Sequence, residues 1–324
     1  MSDIIEHHIP FIEKYRPKKL EDLILPEYMH YKIMNFIKFK KMPNIIITGS
    51  PGTGKTSTVL CLAKRILNKK NKEMILELNA SNNRTLEFIN TTVSYFCKKK
   101  INNTENNYKI IILDEADNIT KKTQNLLANL MEEYSDNTIF TYTCNETSKI
   151  IESIQSRCII LRYNAIQSEN IEKRLKMICN KENIEYDIDG LKALEFISQG
   201  DIRQTINNLE ATYYGYNKIT EDNVYKLCYQ PYKQLINLIE NCVKMNLPIV
   251  INLLTDLKNH GYCSNDILLT LLNCLKTASI DEDIRINFIK IISNTYIHIC
   301  NGIDTNLQLY SCISRMIKYI NDTS

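Results

Sequence analysis

Long apolar runs are missing from this 324-residue chain: its hydrophobic stretches are short, such as residues 45–47 and 110–113, against the roughly 20 residues of a bilayer-spanning helix. No membrane span is expected. The opening MSDIIEHHIP carries acids and histidines where a secretory signal has basic residues and an apolar core, so the chain is expected to stay inside the cell. Cysteine pairing is missing too. The eleven cysteines are an odd number, scattered at 61, 97, 144, 158, 179, 228, 242, 263, 274, 300 and 312, and no two form a C-x-x-C pair. A disulfide framework and a zinc site are therefore not expected, and a reducing compartment fits. His7 and His8 are neighbours on a terminus, a poor arrangement for holding a metal. Strong charge is also lacking, with a net charge of +3 and a pI near 8.2. A surface that grips nucleic acid by overall charge alone is usually more basic, so any DNA or RNA contact has to be local or shared among subunits. There is no internal repeat and no low-complexity tail, and the polar run 102–107 reads as a loop.

What is present is an ordinary folded composition, 44% hydrophobic and 24% charged, at a length that suggests roughly two or three domains. Strand-like runs at 45–48, 74–78, 110–113 and 139–143 alternate with helical periods. After Gly54, Val59, Leu62, Ala63, Ile66 and Leu67 fall on one helical face, and 123–133 reads as another helix. Such alternation implies an α/β domain with a parallel sheet covered by helices on both faces, over residues 1–163. Helical patterns at 168–182, 191–198, 202–213 and 221–227 suggest a small helical lid over 164–230. Beyond Pro231, helices at 235–246, 248–259, 264–277, 284–300 and 306–320 suggest an all-helical third domain, 231–324.

Gly49-Ser50-Pro51-Gly52-Thr53-Gly54-Lys55-Thr56 matches G-x-x-x-x-G-K-[ST] between a strand and a helix. Its glycines let backbone N–H groups point at phosphate oxygens, and the helix N-terminus adds partial positive charge. Thr48 and Ser57, which flank the loop, are expected as further nucleotide-binding positions. Lys55 is expected to reach the β and γ phosphates of ATP, and the Thr56 hydroxyl to hold Mg²⁺. IIILDEAD begins at Ile110 and places Asp114 59 residues after Lys55, at a strand's carboxyl end, where ligands gather in open α/β sheets. Asp114 is expected to hold Mg²⁺ through water, and Glu115 to polarise the attacking water. Asp117 is expected to cap the following helix, with Ala116 as packing.

These motifs resemble the AAA+ ATPases and, more narrowly, the small subunits of replication factor C, a sliding-clamp loader. The likeness runs along nearly the whole chain. Glu13-Lys14-Tyr15-Arg16-Pro17 with Leu20 and Asp22 looks like the family's N-terminal box, and LELNASNNR at 76–84 is similar to its LNAS-x-x-R segment. Asn145 stands at its first sensor position, Ser156-Arg157-Cys158 matches its SRC motif, Gly200-Asp201-Ile202-Arg203 its second sensor, and Leu307-Gln308-Leu309 a collar segment.

The resemblance implies Ile12, Tyr15, Arg16 and Ile24 around the adenine and its phosphates. It implies Asn145 at the attacking water or γ-phosphate, where a turn asparagine is the other reading. Arg203 would reach the nucleotide from the lid, with a surface arginine as the alternative. Arg157 would serve a neighbouring subunit's site in trans, as an arginine finger worth about 10³ to 10⁵ in rate, or else be a salt-bridged surface residue. Arg84 and Lys149 match family positions that track duplex phosphates, contacts that give affinity without sequence preference. The sequence departs from that pattern at Asn83, Thr85, Asn90, Ala128 and Asn129, so a weaker DNA grip is expected. Val93 and Phe96 resemble a clamp-docking segment, and an amphipathic core helix accounts for the same two residues. The expected function is that of an ATPase subunit of a pentamer that, with sister subunits, opens a ring clamp and loads it onto primer-template DNA, in the nucleus if the cell is eukaryotic. A ring subunit that binds ATP without turnover, and another AAA+ machine such as a branch-migration helicase or an initiator, are the alternatives.

Overall fold

A computed structural model describes residues 9–39, 42–67, 72–80, 86–99, 108–228, 231–278 and 280–323. The chain forms two compact units, residues 1–224 and 225–324. The first begins with α1 (Phe11–Lys14) and α2 (Glu27–Lys38), then alternates β1 (Ile45–Gly49), α3 (Lys55–Ile66), β2 (Ile75–Asn79), α4 (Leu86–Lys98), β3 (Lys109–Asp114), α5 (Lys121–Glu133), β4 (Thr138–Cys144), α6 (Glu152–Gln155) and β5 (Ile159–Tyr163). The strands form a five-stranded sheet in the order β2-β3-β4-β1-β5, and every pairing is parallel.

Burial on both faces explains why these strands read as continuous apolar runs. Successive side chains point to opposite sides. Ile45 and Ile47 join Met29 and Ile33 of α2 and Val59 and Leu62 of α3, while Ile46 joins Val93 of α4 and Leu127 of α5. On β3, Ile110 and Ile112 take the first side and Ile111 and Leu113 the second. Lys109 begins that strand at 4% exposure, and its ammonium donates to the Phe96 and Cys97 carbonyls, which helix geometry leaves unpaired at the end of α4. Burial pushes the Lys109 pKa down.

The strand order brings the ends of β1, β4 and β3 side by side, because β4 lies between the other two. The chain leaves β1 toward β2 on one side, while β5 closes the other. That reversal makes the carboxyl edge beside β1 the natural crevice for a ligand. β5 was not expected as a strand. It is an edge strand whose Ile159 is 42% exposed and which carries Arg162, so its pattern lacks the apolar run of its neighbours.

Still within the first unit, α7 (Ser168–Glu182), β6 (Glu185–Tyr186), α8 (Ile188–Ser198), α9 (Ile202–Tyr216) and β7 (Lys218–Ile219) form most of the helical segment expected as a lid, and the boundary between the units falls inside α10 (Glu221–Leu227). α8 packs against both α7 and α9. The parallel pair β6–β7 is two residues long, too short to show a period in sequence. The second unit holds α11 (Tyr232–Val243), α12 (Leu247–Asn259), α13 (Ser264–Thr277), α14 (Glu282–Cys300) and α15 (Asn306–Thr323) around a core that includes Leu238, Leu254, Leu271, Phe288, Ile292 and Met316.

Val93 on α4 is 0% exposed and sits in the core cluster of that face, whereas Tyr95 two residues on is 74% exposed. Val93→Ala is expected to lower stability by about 1–3 kcal/mol through a cavity. Tyr95→Ser should leave the denaturation midpoint within error, and equal midpoints for the two variants would contradict this placement of α4.

Candidate functional site

β1 runs out at Gly49, where a Cβ would stand 2.3 Å from the Tyr163 carbonyl oxygen of β5. Only glycine allows that approach. The loop then curls through Gly52 and Gly54, at φ +74° and +87°, a left-handed region glycine enters without steric cost. Thr53 Oγ1 closes the curl on the Ser50 carbonyl at 2.8 Å. Lys55 opens α3 and is 9% exposed. Its ammonium donates to the Gly49 carbonyl at 2.7 Å, the Ser50 carbonyl at 2.9 Å and Asn145 Oδ1 at 2.9 Å, which matches its three donors. Burial first, and the charge of Arg203 second, push its pKa down.

Thr56 Oγ1 donates to Asp114 Oδ1 at 2.9 Å, and Thr143 Oγ1 on β4 donates to the same oxygen. The pair offers hard oxygen donors to a cation. Mg²⁺ is typically bound by one or two carboxylates with phosphate and water, so the donor set fits it. Among the described residues no group of three or more His, Cys, Asp or Glu forms a metal cage. Glu115 follows in the left-handed region, φ 55° and ψ 44°, a conformation that costs on the order of 1–3 kcal/mol for a non-glycine residue. Its amide donates to Thr143 Oγ1 at 3.3 Å and its carboxylate accepts from Asn118 Nδ2 at 3.3 Å. The carboxylate stands exposed beside Asp114.

Asp117 does not cap α5. Thr120 does, accepting the Thr123 N–H, while Asp117 Oδ2 accepts the Asn145 N–H at 3.2 Å. The Thr48 hydroxyl donates to the Asn145 carbonyl at 3.1 Å. Asn145 is thus held by β1, by the acidic turn after β3 and by Lys55, three elements that the sheet order makes neighbours.

Two adjoining cavities follow from this frame. The larger, about 290 Å³, is lined by Ile12, Tyr15, Arg16 and Ile24, by Ser57 of α3, and by Ile166, Arg174, Ile202 and Ile206 of the lid segment. The smaller, about 100 Å³, is lined by Pro51, Lys55, Thr56, Asp114, Glu115 and Asn145. Gly52, Thr53, Gly54 and Arg203 border both. Sequence reasoning missed Ile166, which lies in the loop before α7, and Arg174 and Ile206, whose only signal is ordinary helical spacing. Arg203 is placed by Asp201, whose Oδ1 caps α9 by accepting the Arg203 and Gln204 N–H groups at 2.8 and 3.3 Å. That carboxylate also lies on the loop, 1.8 Å from where a Cβ on Gly52 would stand.

Other expected residues lie elsewhere. Arg157 lines neither cavity; its guanidinium pairs with Glu132 on α5 and donates to the Ser153 carbonyl at 2.7 Å. Lys149 is exposed and 3.2 Å from Glu146 Oε1. Its carbonyl accepts from Gln124 Nε2 at 3.0 Å, a side chain that also receives the Ile151 N–H and so ties α5 to that loop. Arg84, with Asn83 and Thr85, falls outside the described residues. Val93 is corrected from a docking anchor to a core residue, and Phe96 is half-buried against the same core. Ala128 is 5% exposed within that core, while Asn90 and Asn129 face outward.

The family described as ATPases associated with various cellular activities (AAA) matches residues 45–164, and the replication factor C C-terminal domain matches 231–315. Replication factor C subunit 4 of Saccharomyces cerevisiae is 38% identical over 99% of both chains. Human replication factor C subunit 5 is 33% identical over 95% of this chain and 91% of its own. The small subunit of Methanothermobacter thermautotrophicus is 40% identical over 67% of each. Among solved structures, the Holliday junction branch migration motor RuvB of Thermotoga maritima is similar at TM-score 0.55, with 15% identity over 72% of this chain and 80% of that one. At that identity the likeness concerns the fold alone.

The Gly52–Asp201 approach generates a test. Gly52→Ala should lower ATP affinity at least about tenfold, because the strained φ and the clash displace the start of α9. Adding Asp201→Gly should restore part of the loss, measured by calorimetric titration. A single variant that binds like the parent chain would contradict the contact.

Proposed function

The chain belongs to the replication factor C small subunits, within the AAA ATPases, and from that premise we propose that it is an ATP-hydrolysing subunit of a clamp loader. The observation that carries the reading is the convergence of Lys55, Asn145, Thr56, Asp114 and Glu115 on one small cavity joined to a larger, partly apolar one. In this reading the larger cavity takes the base, between Ile12, Tyr15, Arg16 and Ile24 and the lid. The loop 49–56 takes the phosphates with its N–H groups and with Lys55, whose ammonium exchanges backbone carbonyls for phosphate oxygens. Residues 164–230 act as the lid, and residues 231–324 as the collar that joins the subunits.

Thr56 and Asp114 would hold Mg²⁺, which when bound neutralises charge on the β and γ phosphates. Glu115 is exposed next to Asp114 and can accept a proton from, or orient, the attacking water. Asn145 contacts Lys55 directly and is positioned to orient the same water or the terminal phosphate. Arg203 closes the site from the lid. Arg157 stands outside both cavities of its own chain, which supports service to a neighbour's site; the Glu132 pair holds it until a neighbour docks. That role requires sister subunits, and the family's five-membered ring is the proposed assembly. Primer-template DNA and a ring clamp are the proposed partners, with the place of DNA replication, the nucleus in a eukaryote, as the site of action. Lys149 and Arg84 are the proposed phosphate contacts. Asn90 and Asn129 offer no charge and Ala128 is buried, so this subunit's share of the DNA grip is small. A clamp contact through α4 has to use its outward face, with Phe96 at its margin and without Val93.

The assay is ATP turnover by the assembled complex, with and without primed DNA plus clamp. Lys55→Ala in this chain is expected to lower the stimulated rate and nucleotide binding together. Glu115→Gln should keep binding and lose turnover at this site. Arg157→Ala should leave this chain's own affinity unchanged while cutting a neighbour's turnover by about 10³ or more. Stimulation that survives Lys55→Ala unchanged would falsify the reading.

A further inference from the structure

The segment that walls the larger cavity is fastened to lid residues that belong to no nucleotide motif. Tyr15 donates its phenol O–H to Glu182 in the last turn of α7, and Arg174 on the same helix donates to the Tyr15 backbone carbonyl. Lys14 Nζ lies 2.6 Å from that Glu182 carboxylate, whose side chain is 17% exposed. On α9, Glu210 Oε2 accepts the Phe11 N–H at 3.0 Å, and the Phe11 ring stacks on Tyr213 with centroids 6.5 Å apart. Glu182, Glu210 and Tyr213 line neither cavity, whereas Tyr15 and Arg174 do.

A phenol hydrogen-bonded to a carboxylate is held more firmly than one bonded to a neutral acceptor. Tyr15 cannot turn away from the cavity without giving up that bond, and Lys14 partly neutralises the carboxylate that makes it. Burial and the Glu182 bond raise the Tyr15 pKa to about 12, so the donor keeps its proton across the physiological range. The same lid segment carries Arg203. We propose that Glu182 is a positioning residue for nucleotide binding: it holds Tyr15 against the base cavity from the lid side, so that the cavity wall meets the base already ordered. Preorganisation of this kind raises affinity by removing the ordering cost at the moment of binding. The inference rests on the nucleotide-site reading above and adds a residue that no motif contains.

The test compares ATP with tripolyphosphate, which lacks the base, as ligands of the full-length chain in the presence of Mg²⁺. Glu182→Ala and Tyr15→Phe are each expected to weaken ATP binding roughly tenfold, the range of one charge-assisted hydrogen bond. The double variant should be no weaker than either single one, and Glu182→Gln, which keeps an acceptor for the phenol, should retain most of the affinity. Tripolyphosphate binding should not change in any of them. Unchanged ATP binding, an equal loss for tripolyphosphate, or losses that multiply in the double variant overturn the proposal. A parent chain that binds neither ligand overturns the underlying site reading as well, whereas normal parent binding with indifferent variants overturns this inference alone.

Discussion

One buried cation sets the terms for the carboxyl edge of the sheet. The Lys55 ammonium is largely withdrawn from water, and a buried charge is tolerated only when its hydrogen-bonding capacity is met. Two of its acceptors are carbonyls of the loop it follows, which requires the loop to curl back over the helix N-terminus through two left-handed glycines. The third is Asn145, which requires β4 to lie beside β1. The order β2-β3-β4-β1-β5 therefore does more than bury apolar strands: it delivers an amide to the lysine and, one strand further, a carboxylate to Thr56.

The rest of the first unit is arranged around that point. Asp201 caps the helix that bears Arg203 and lies on Gly52, so the lid and the phosphate loop share one contact. The N-terminal segment makes a second connection, through Tyr15 and Phe11 to α7 and α9. Residues 164–216 therefore touch both the wall of the larger cavity and the curl of the loop, the connections that the proposed lid would use. Arg157 is bound to Glu132 away from both cavities, which leaves it available for the proposed service to a neighbouring chain.

The phosphate loop, the acidic strand end and all five C-terminal helices were legible in the sequence, because each depends on local spacing. Lys55, Thr56 and Asp114 meet as their motifs imply. What escaped depends on tertiary context. β5 is an edge strand with mixed polarity, so no period betrayed it. Arg174 and Ile206 reach the cavity only because α7 and α9 fold back toward the N-terminal segment, and Ile166 because the loop after β5 turns with them. Val93 looked available on an amphipathic helix, yet that apolar stripe is the face α4 turns to the sheet. Asp117 was read as a local cap, while its carboxylate reaches across the sheet to the Asn145 amide.

The central claim is that this site is one of several in a ring, built to hold ATP and completed by a neighbour. Native mass measurement of the complex that the full-length chain forms with its sister subunits, in Mg²⁺ and ATP, tests it most directly. The expected result is a five-subunit assembly whose mass includes nucleotide, with a nucleotide lost when this chain's Lys55 is replaced. A monomer, or an assembly whose nucleotide content ignores that replacement, would contradict it.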